Sequence, residues 1–191
     1  MHHFIDKELG KVAPYGVYDI AANSGWVSVG ITHDTAQFAV SAIRTWLEKM
    51  GRQRYPNARE LTITADCGGS NGARVRLWKV ELQMFADETG LIIKVRHYPP
   101  GTSKWNKIEH RMVCHITQNW RSRPLTDRAA VVELIAATTT KGGLKIESAL
   151  DTKTYEKGIK VSDAAMRDLD IQGDAFHPEW NYTITPRMPK S

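Results

Sequence analysis

Two acidic residues stand where folded sheets do chemistry. Leu61-Thr62-Ile63-Thr64-Ala65-Asp66 is a β-branched run that ends on a carboxylate, and Cys67-Gly68-Gly69-Ser70-Asn71-Gly72 follows at once, a cluster that cannot continue a strand. A second apolar run, residues 91–95, leads through Tyr98-Pro99-Pro100-Gly101 into Ser103-Lys104-Trp105-Asn106-Lys107-Ile108-Glu109-His110. The spacing predicts one acid at the C-terminal end of a strand and a second in the first turns of a helix fed by the next strand. Such ends lie side by side in an α/β sheet, where these folds build their sites. From Glu109, positions Met112, Val113 and Ile116 share its helical face, so the carboxylate sits on or beside an apolar stripe. That placement is costly unless the acid is paired, protonated or metal-bound. Asp66 and Glu109 read as two members of a metal-binding carboxylate set; a boundary glutamate that reaches water is the plainer alternative.

Carboxylates of this kind suit Mg²⁺ or Mn²⁺. Mg²⁺ takes oxygen donors, few of them from protein, and leaves room for water and substrate phosphate. A pair of such ions about 3.5–4 Å apart activates a water or hydroxyl and stabilises the leaving oxygen of a phosphodiester. Gly68 and Gly69 would let the backbone approach an ion or phosphate. Lys104, Lys107 and Arg111 would contact phosphates without reading bases. Asn71 and His110 stand near enough in sequence to support the acids from behind. A metal-independent glycosidase, using the same acids as acid and base, is a competing reading.

The basic residues gather around these acids. The chain of 191 residues carries a net charge of +5, yet the window 94–128 alone holds eight basic residues (Lys94, Arg96, Lys104, Lys107, Arg111, Arg121, Arg123, Arg128) against two acids, Glu109 and Asp127. A basic field about a carboxylate pair suits a polyanion; a solvated charged face is the ordinary outcome for charge clusters. Apolar content of 41% and charged content of 25% are those of a globular domain. No run approaches the roughly 18 apolar residues of a membrane span, and no signal-peptide core opens the chain. Two cysteines, Cys67 and Cys114, form neither a CxxC pair nor a disulfide framework, which favours a reducing, cytoplasmic setting. Cys67 reads as a small loop thiol rather than a nucleophile.

The elements that must position these groups follow in order. Residues 1–15 read as irregular. Val17-Tyr18-Asp19-Ile20, the turn Asn23-Ser24-Gly25 and the run 26–30 predict a hairpin. Asp34 or Thr35 caps a helix to Met50, with Phe38, Ala39, Ala42, Ile43 and Trp46 on its apolar face and Gly51 as its stop, before a basic loop at 52–56. Residues 61–66 show too little polar alternation for a solvated edge and so predict a central strand. Residues 74–89 predict a helix closed by Gly90, and 91–97 another strand. Strands that alternate with helices imply parallel crossovers joined to the antiparallel hairpin. Arg121-Ser122-Arg123-Pro124 ends the helix of Glu109. Thr126 or Asp127 caps another to about Thr138, closed by Gly142-Gly143. Beyond lie a strand at 144–150, a short helix at 162–169 and a strand at 180–184, either wrapping the core or extending towards a partner. Trp46, Trp78 and Trp120 read as core.

Ile63 to Gly72 and Pro99 to His110, together with Tyr15-Gly16-Val17-Tyr18-Asp19-Ile20-Ala21-Ala22-Asn23 and Phe176-His177-Pro178-Glu179-Trp180-Asn181-Tyr182-Thr183, resemble the catalytic domain of the ISAzo13 family of insertion-sequence transposases. These are DDE enzymes with a ribonuclease H-like fold. The resemblance implies an α/β fold: a ribonuclease H-like mixed sheet flanked by helices, lacking its first strand, over residues 1–142, with a C-terminal α+β extension over 143–191. It makes Asp66 the second acid of the triad and Glu109 the third, both holding Mg²⁺ or Mn²⁺ for hydrolysis and strand transfer at transposon DNA ends. Lys104, Lys107, Arg111, Arg121 and Arg123 become DNA contacts, with Gly68, Asn71, Asn106 and His110 supporting the acids. In the family the first aspartate lies upstream of the matching segment. Asp19 resembles a neighbour of the site, so the chain is expected to be a truncated transposase with impaired catalysis. The alternative is an inactive remnant that binds DNA or pairs with intact transposase. A sheet without its first strand would expose an edge that invites homo-oligomers.

Overall fold

The computed structural model describes residues 5–6, 10–120 and 127–188. In chain order its strands are β1 (Ile5–Asp6), β2 (Gly10–Lys11), β3 (Ala13–Asp19), β4 (Ser24–Gly30), β5 (Glu60–Ala65), β6 (Ile92–His97), β7 (Lys145–Asp151), β8 (Ile171–Gly173) and β9 (Asn181–Ile184). The α-helices are α1 (Ala36–Trp46), α2 (Arg52–Arg54), α3 (Arg76–Thr89), α4 (Cys114–Trp120), α5 (Arg128–Ala136) and α6 (Asp163–Arg167). Two π-helical turns, Leu47–Gly51 and Glu109–Val113, precede α2 and α4, and a 3-10 turn spans Ser103–Trp105. The fold is α/β, with mixed sheets flanked by helices. It divides into two units, Met1–Phe38 with Lys107–Lys157, and Ala39–Asn106 with Gly158–Ser191.

The first unit is built on the expected hairpin. β3 and β4 pair from Ala13↔Gly30 to Asp19↔Ser24. Asp19 Oδ1 accepts from the Ala21 and Ala22 amides at 3.0 Å, and Asn23 takes a positive φ of 50°, which together reverse the chain. The expectation that residues 1–15 are irregular is corrected: β1 and β2 pair at Ile5↔Lys11 and Asp6↔Gly10, and the β3 ladder starts at Ala13. Pro14 is accommodated because β3 is the outer strand of the order β3-β4-β7, where a missing N–H costs no ladder bond. β7 adds to β4 in parallel. Met112, Ile116 and Trp120 join Val131, Leu134 and Ile135 of α5 over Val27, Val29 and Ile146 to form the core. Asp127 caps α5 by accepting from the Ala130 amide at 2.7 Å, and Gly143 closes the following turn at φ 84°.

The second unit carries β5-β6-β9-β8. β5 and β6 are parallel, with α3 as the crossover and Gly90 in the left-handed conformation (φ 73°) at its end, as the sequence predicts. β9 runs antiparallel to β6, and β8 to β9. The central position expected for the 61–66 run is therefore corrected: β5 is an edge strand of its sheet, and Thr62 and Thr64 are exposed while Leu61 and Ile63 are half-buried. Its apolar content reflects one buried face rather than two. The helix stop at Gly51 is corrected as well. Thr35 caps α1 as expected, its hydroxyl accepting from the Phe38 amide at 3.2 Å, but the chain stays helical through Gly51 (φ −66°) to Arg54. Gly51 is there for packing, since a Cβ would meet the Trp46 ring and Leu47 at 3.1 Å. Trp78, Leu82, Phe85 and Ala86 are fully buried on α3.

Candidate functional site

Asp66 is the first residue past the β5 ladder. The last ladder partners are Ala65↔His97, and the Tyr98 amide donates to the Ala65 carbonyl at 2.8 Å. The chain then turns sharply: the Ala73 amide donates to the Cys67 carbonyl at 3.2 Å and the Gly72 amide to the Gly69 carbonyl at 3.1 Å. Gly69 has φ 79°, and a Cβ on Gly72 would lie 2.8 Å from the Cys67 carbonyl oxygen, so these two glycines are demanded by the turn itself. Gly68 is different. A Cβ there would meet nothing within 4 Å, so the fold leaves open space beside it.

The loop from Pro99 is a succession of turns. The Thr102 amide donates to the Pro99 carbonyl at 3.1 Å, Trp105 to Thr102 at 2.9 Å and Asn106 to Ser103 at 2.9 Å. They deliver the buried Asn106, whose Nδ2 donates to Asp66 Oδ1 at 3.2 Å. Asp66 makes no other side-chain hydrogen bond among the described residues. Asp66 is half-buried, and one of its carboxylate oxygens is held while the other is not bonded among the described residues. A hard oxygen donor beside open backbone fits Mg²⁺ or Mn²⁺ in chemistry. Among the described residues, no group of three or more His, Cys, Asp or Glu side chains is assembled to hold a metal.

Behind Asp66 lies a polar chain that the strand reading missed. His97 Nδ1 is 3.0 Å from the Asp66 carbonyl oxygen and its Nε2 is 2.8 Å from the Tyr182 hydroxyl, which accepts from Trp78 Nε1 at 3.0 Å. Burial pushes the His97 imidazole below its ordinary value; the Asp66 carbonyl opposes that shift and the Lys79 charge adds to it. Burial likewise raises the Tyr182 phenol and lowers the Lys79 ammonium, whose Nζ stands 5.1 Å from the Tyr182 ring centroid. The signal was present in the sequence: His97 falls in phase with Ile93 and Val95 on the buried face of β6.

Glu109 belongs to the other unit and is half-buried at the start of a π-helical turn. The Cys114 amide bonds to the Glu109 carbonyl, an i+5 spacing, so the 3.6-residue argument that aligned Glu109 with Val113 and Ile116 does not run through this turn. Met112 anchors it. Its side chain fills a slot left by Gly16 and Gly25 on the hairpin, where a Cβ on either glycine would collide with it.

The remaining predicted residues distribute as follows. Asn71 sits half-buried in the Asp66 turn, and Lys104 is exposed on the 3-10 turn before Asn106. Lys107, His110 and Arg111 are exposed about Glu109. Arg121 and Arg123 lie outside the described residues. Of the other basic residues in the window, Lys94 pairs with Glu60 at 2.7 Å and Arg96 with Asp174 at 2.9 Å, so both are committed to the fold.

A family model described as the Rhodopirellula transposase DDE domain matches residues 1–186. No curated protein and no solved structure matches the chain.

Proposed function

Since the chain belongs to this family of transposase DDE domains, we propose that it serves metal-dependent phosphodiester hydrolysis and strand transfer on transposon DNA, with Asp66 and Glu109 as carboxylates that hold Mg²⁺ or Mn²⁺. The observation that supports this reading best is the state of Asp66: one oxygen tethered by Asn106 at 3.2 Å, the other unbonded among the described residues, beside a glycine with open space where a side chain would stand. A buried amide donor stops the carboxylate from rotating, and the bare Gly68 backbone lets a phosphate approach. Bound to these acids, a divalent ion supplies Lewis-acid polarisation of the phosphoryl group and a more acidic water. Lys104, Lys107 and Arg111 contact phosphates and set register without reading sequence, and Arg121 and Arg123 extend the same basic field. Asn71 and His110 support the acids.

Mn²⁺ titration followed by electron paramagnetic resonance tests the metal assignment. Asp66→Asn and Glu109→Gln are each expected to abolish binding; unchanged binding in either removes that residue from the site. Charge reversal of Lys104 and Lys107 is expected to weaken duplex binding equally across sequences and to lower the salt slope by about one unit per lost phosphate contact. Strong, salt-dependent DNA binding without any Mn²⁺ affinity would instead identify an inactive DNA-binding remnant. No helix among the described residues is long and apolar enough to cross a membrane.

A further inference from the structure

We propose that His97 is a positioning residue for Asp66, held in one tautomer by Tyr182 and Trp78; this rests on the reading of Asp66 as a metal-holding carboxylate. Donor and acceptor accounting gives the chain a single direction. The Trp78 indole nitrogen can only donate, so the Tyr182 oxygen accepts from it at 3.0 Å. The Asp66 carbonyl can only accept, so the His97 nitrogen 3.0 Å away, Nδ1, must carry a proton. A neutral ring then has a bare Nε2, and the one Tyr182 proton points to it across 2.8 Å. The opposite tautomer would set a nitrogen lone pair against the carbonyl oxygen. Trp78, Tyr182 and His97 are 0%, 2% and 5% exposed, so water does not replace any of these partners.

The position of this chain explains its use. Among the described residues β5 has a ladder partner on one side only, and the regular ladder ends with the Tyr98 amide on the Ala65 carbonyl. The next carbonyl, that of Asp66, has His97 Nδ1 as its donor. This bond extends pairing by one residue and fixes the Asp66 peptide before the chain turns at Cys67. Together with Asn106 on Oδ1 it restrains both the backbone and the side chain of Asp66. Tyr182 lies on β9, across β6 from β5, so the last strand of its sheet reaches the site through the ring of His97.

The two amides that mimic the two halves of the imidazole test the inference. His97→Asn keeps a donor at the Nδ1 position, towards Asp66; His97→Gln reaches the Nε2 position, towards Tyr182. Each loses one buried bond, so a merely structural role predicts equal effects. Mn²⁺ affinity is expected within about twofold of the parent protein in His97→Asn and about tenfold weaker in His97→Gln, the scale on which groups behind a metal ligand act. In the parent protein, ¹⁵N signals of the ring should report a proton on Nδ1. Equal affinities in the two variants, or a ring protonated on Nε2, would overturn the proposal while Asp66→Asn still abolishes binding. Undiminished binding in Asp66→Asn would overturn the metal reading, and this inference with it.

Discussion

At the scale of single residues, small groups make room and polar groups take directions. Met112 lies in a slot that exists because positions 16 and 25 have no Cβ. Gly25→Ala is expected to force Met112 out and lower stability by about 1–3 kcal/mol, the ordinary cost of overpacking, read as a shift in the urea midpoint. The same change should shift amide signals around Glu109, three residues before Met112. Asn106→Ala removes a charge-assisted bond from Asp66 Oδ1. It is expected to cost roughly 1–2 kcal/mol, the lower part of the range for a charged acceptor because Asp66 is half-buried, and to weaken Mn²⁺ binding. Asp66, the Gly68 step and the Asn106 loop were legible in the sequence because a strand, a turn and an acid announce themselves over a few neighbouring residues. The His97–Tyr182 contact was not, because 85 positions separate its partners and nothing local marks which strand ends meet.

At the scale of elements, helix α3 is tied to the C-terminal strands by polar bonds as well as by its apolar face. Gln83, fully buried, donates to the Thr185 carbonyl at 2.8 Å and to Asp87 at 2.9 Å, and accepts from the Asp170 amide at 2.8 Å. Gln83→Leu leaves those backbone groups to find water and is expected to cost about 1–3 kcal/mol in chemical denaturation. Arg187 binds Asp87 at 2.7 Å and Asp168 at 3.1 Å. Burial alone would raise the Asp87 carboxyl, but the hydrogen bonds and charge of Arg187 and the Gln83 amide outweigh it and the net direction is down. A carboxyl depressed in the folded state contributes stability above its unfolded value of about 3.9, and that contribution is lost as pH falls through the lower folded value. Arg187→Ala is therefore expected to flatten part of the acid limb of stability, measured as urea midpoints from neutral pH down to the onset of acid unfolding. Propensity and capping foretold α1, α3 and α5. The π-helical turns escaped because an inserted residue leaves the apolar pattern on either side intact. The edge position of β5 escaped because one buried face and two can look alike in six residues.

At the scale of the whole molecule, β5 presents an edge of its own sheet that no strand among the described residues pairs with, and Thr62 and Thr64 are exposed on it. Such edges add strands from other chains unless charge opposes it. Replacing both threonines with lysine is expected to lower self-association, seen as a smaller weight-average mass in sedimentation at high concentration. The C-terminal residues supply β7 to one sheet and β8 and β9 to the other, an outcome the sequence left open because short strands carry no mark of their partners. A chain ending at Lys157 should lose Tyr182 and Ile184, both buried within the second unit, and with them that unit's cooperative unfolding transition.

Each unit is assembled from two separated stretches, so the backbone changes allegiance three times between its ends. No single continuous piece of the gene encodes either body. A stop codon or protease nick anywhere between residues 39 and 157 leaves both halves short of material, and fragments released that way should be recovered as unfolded peptides rather than as trimmed, working domains.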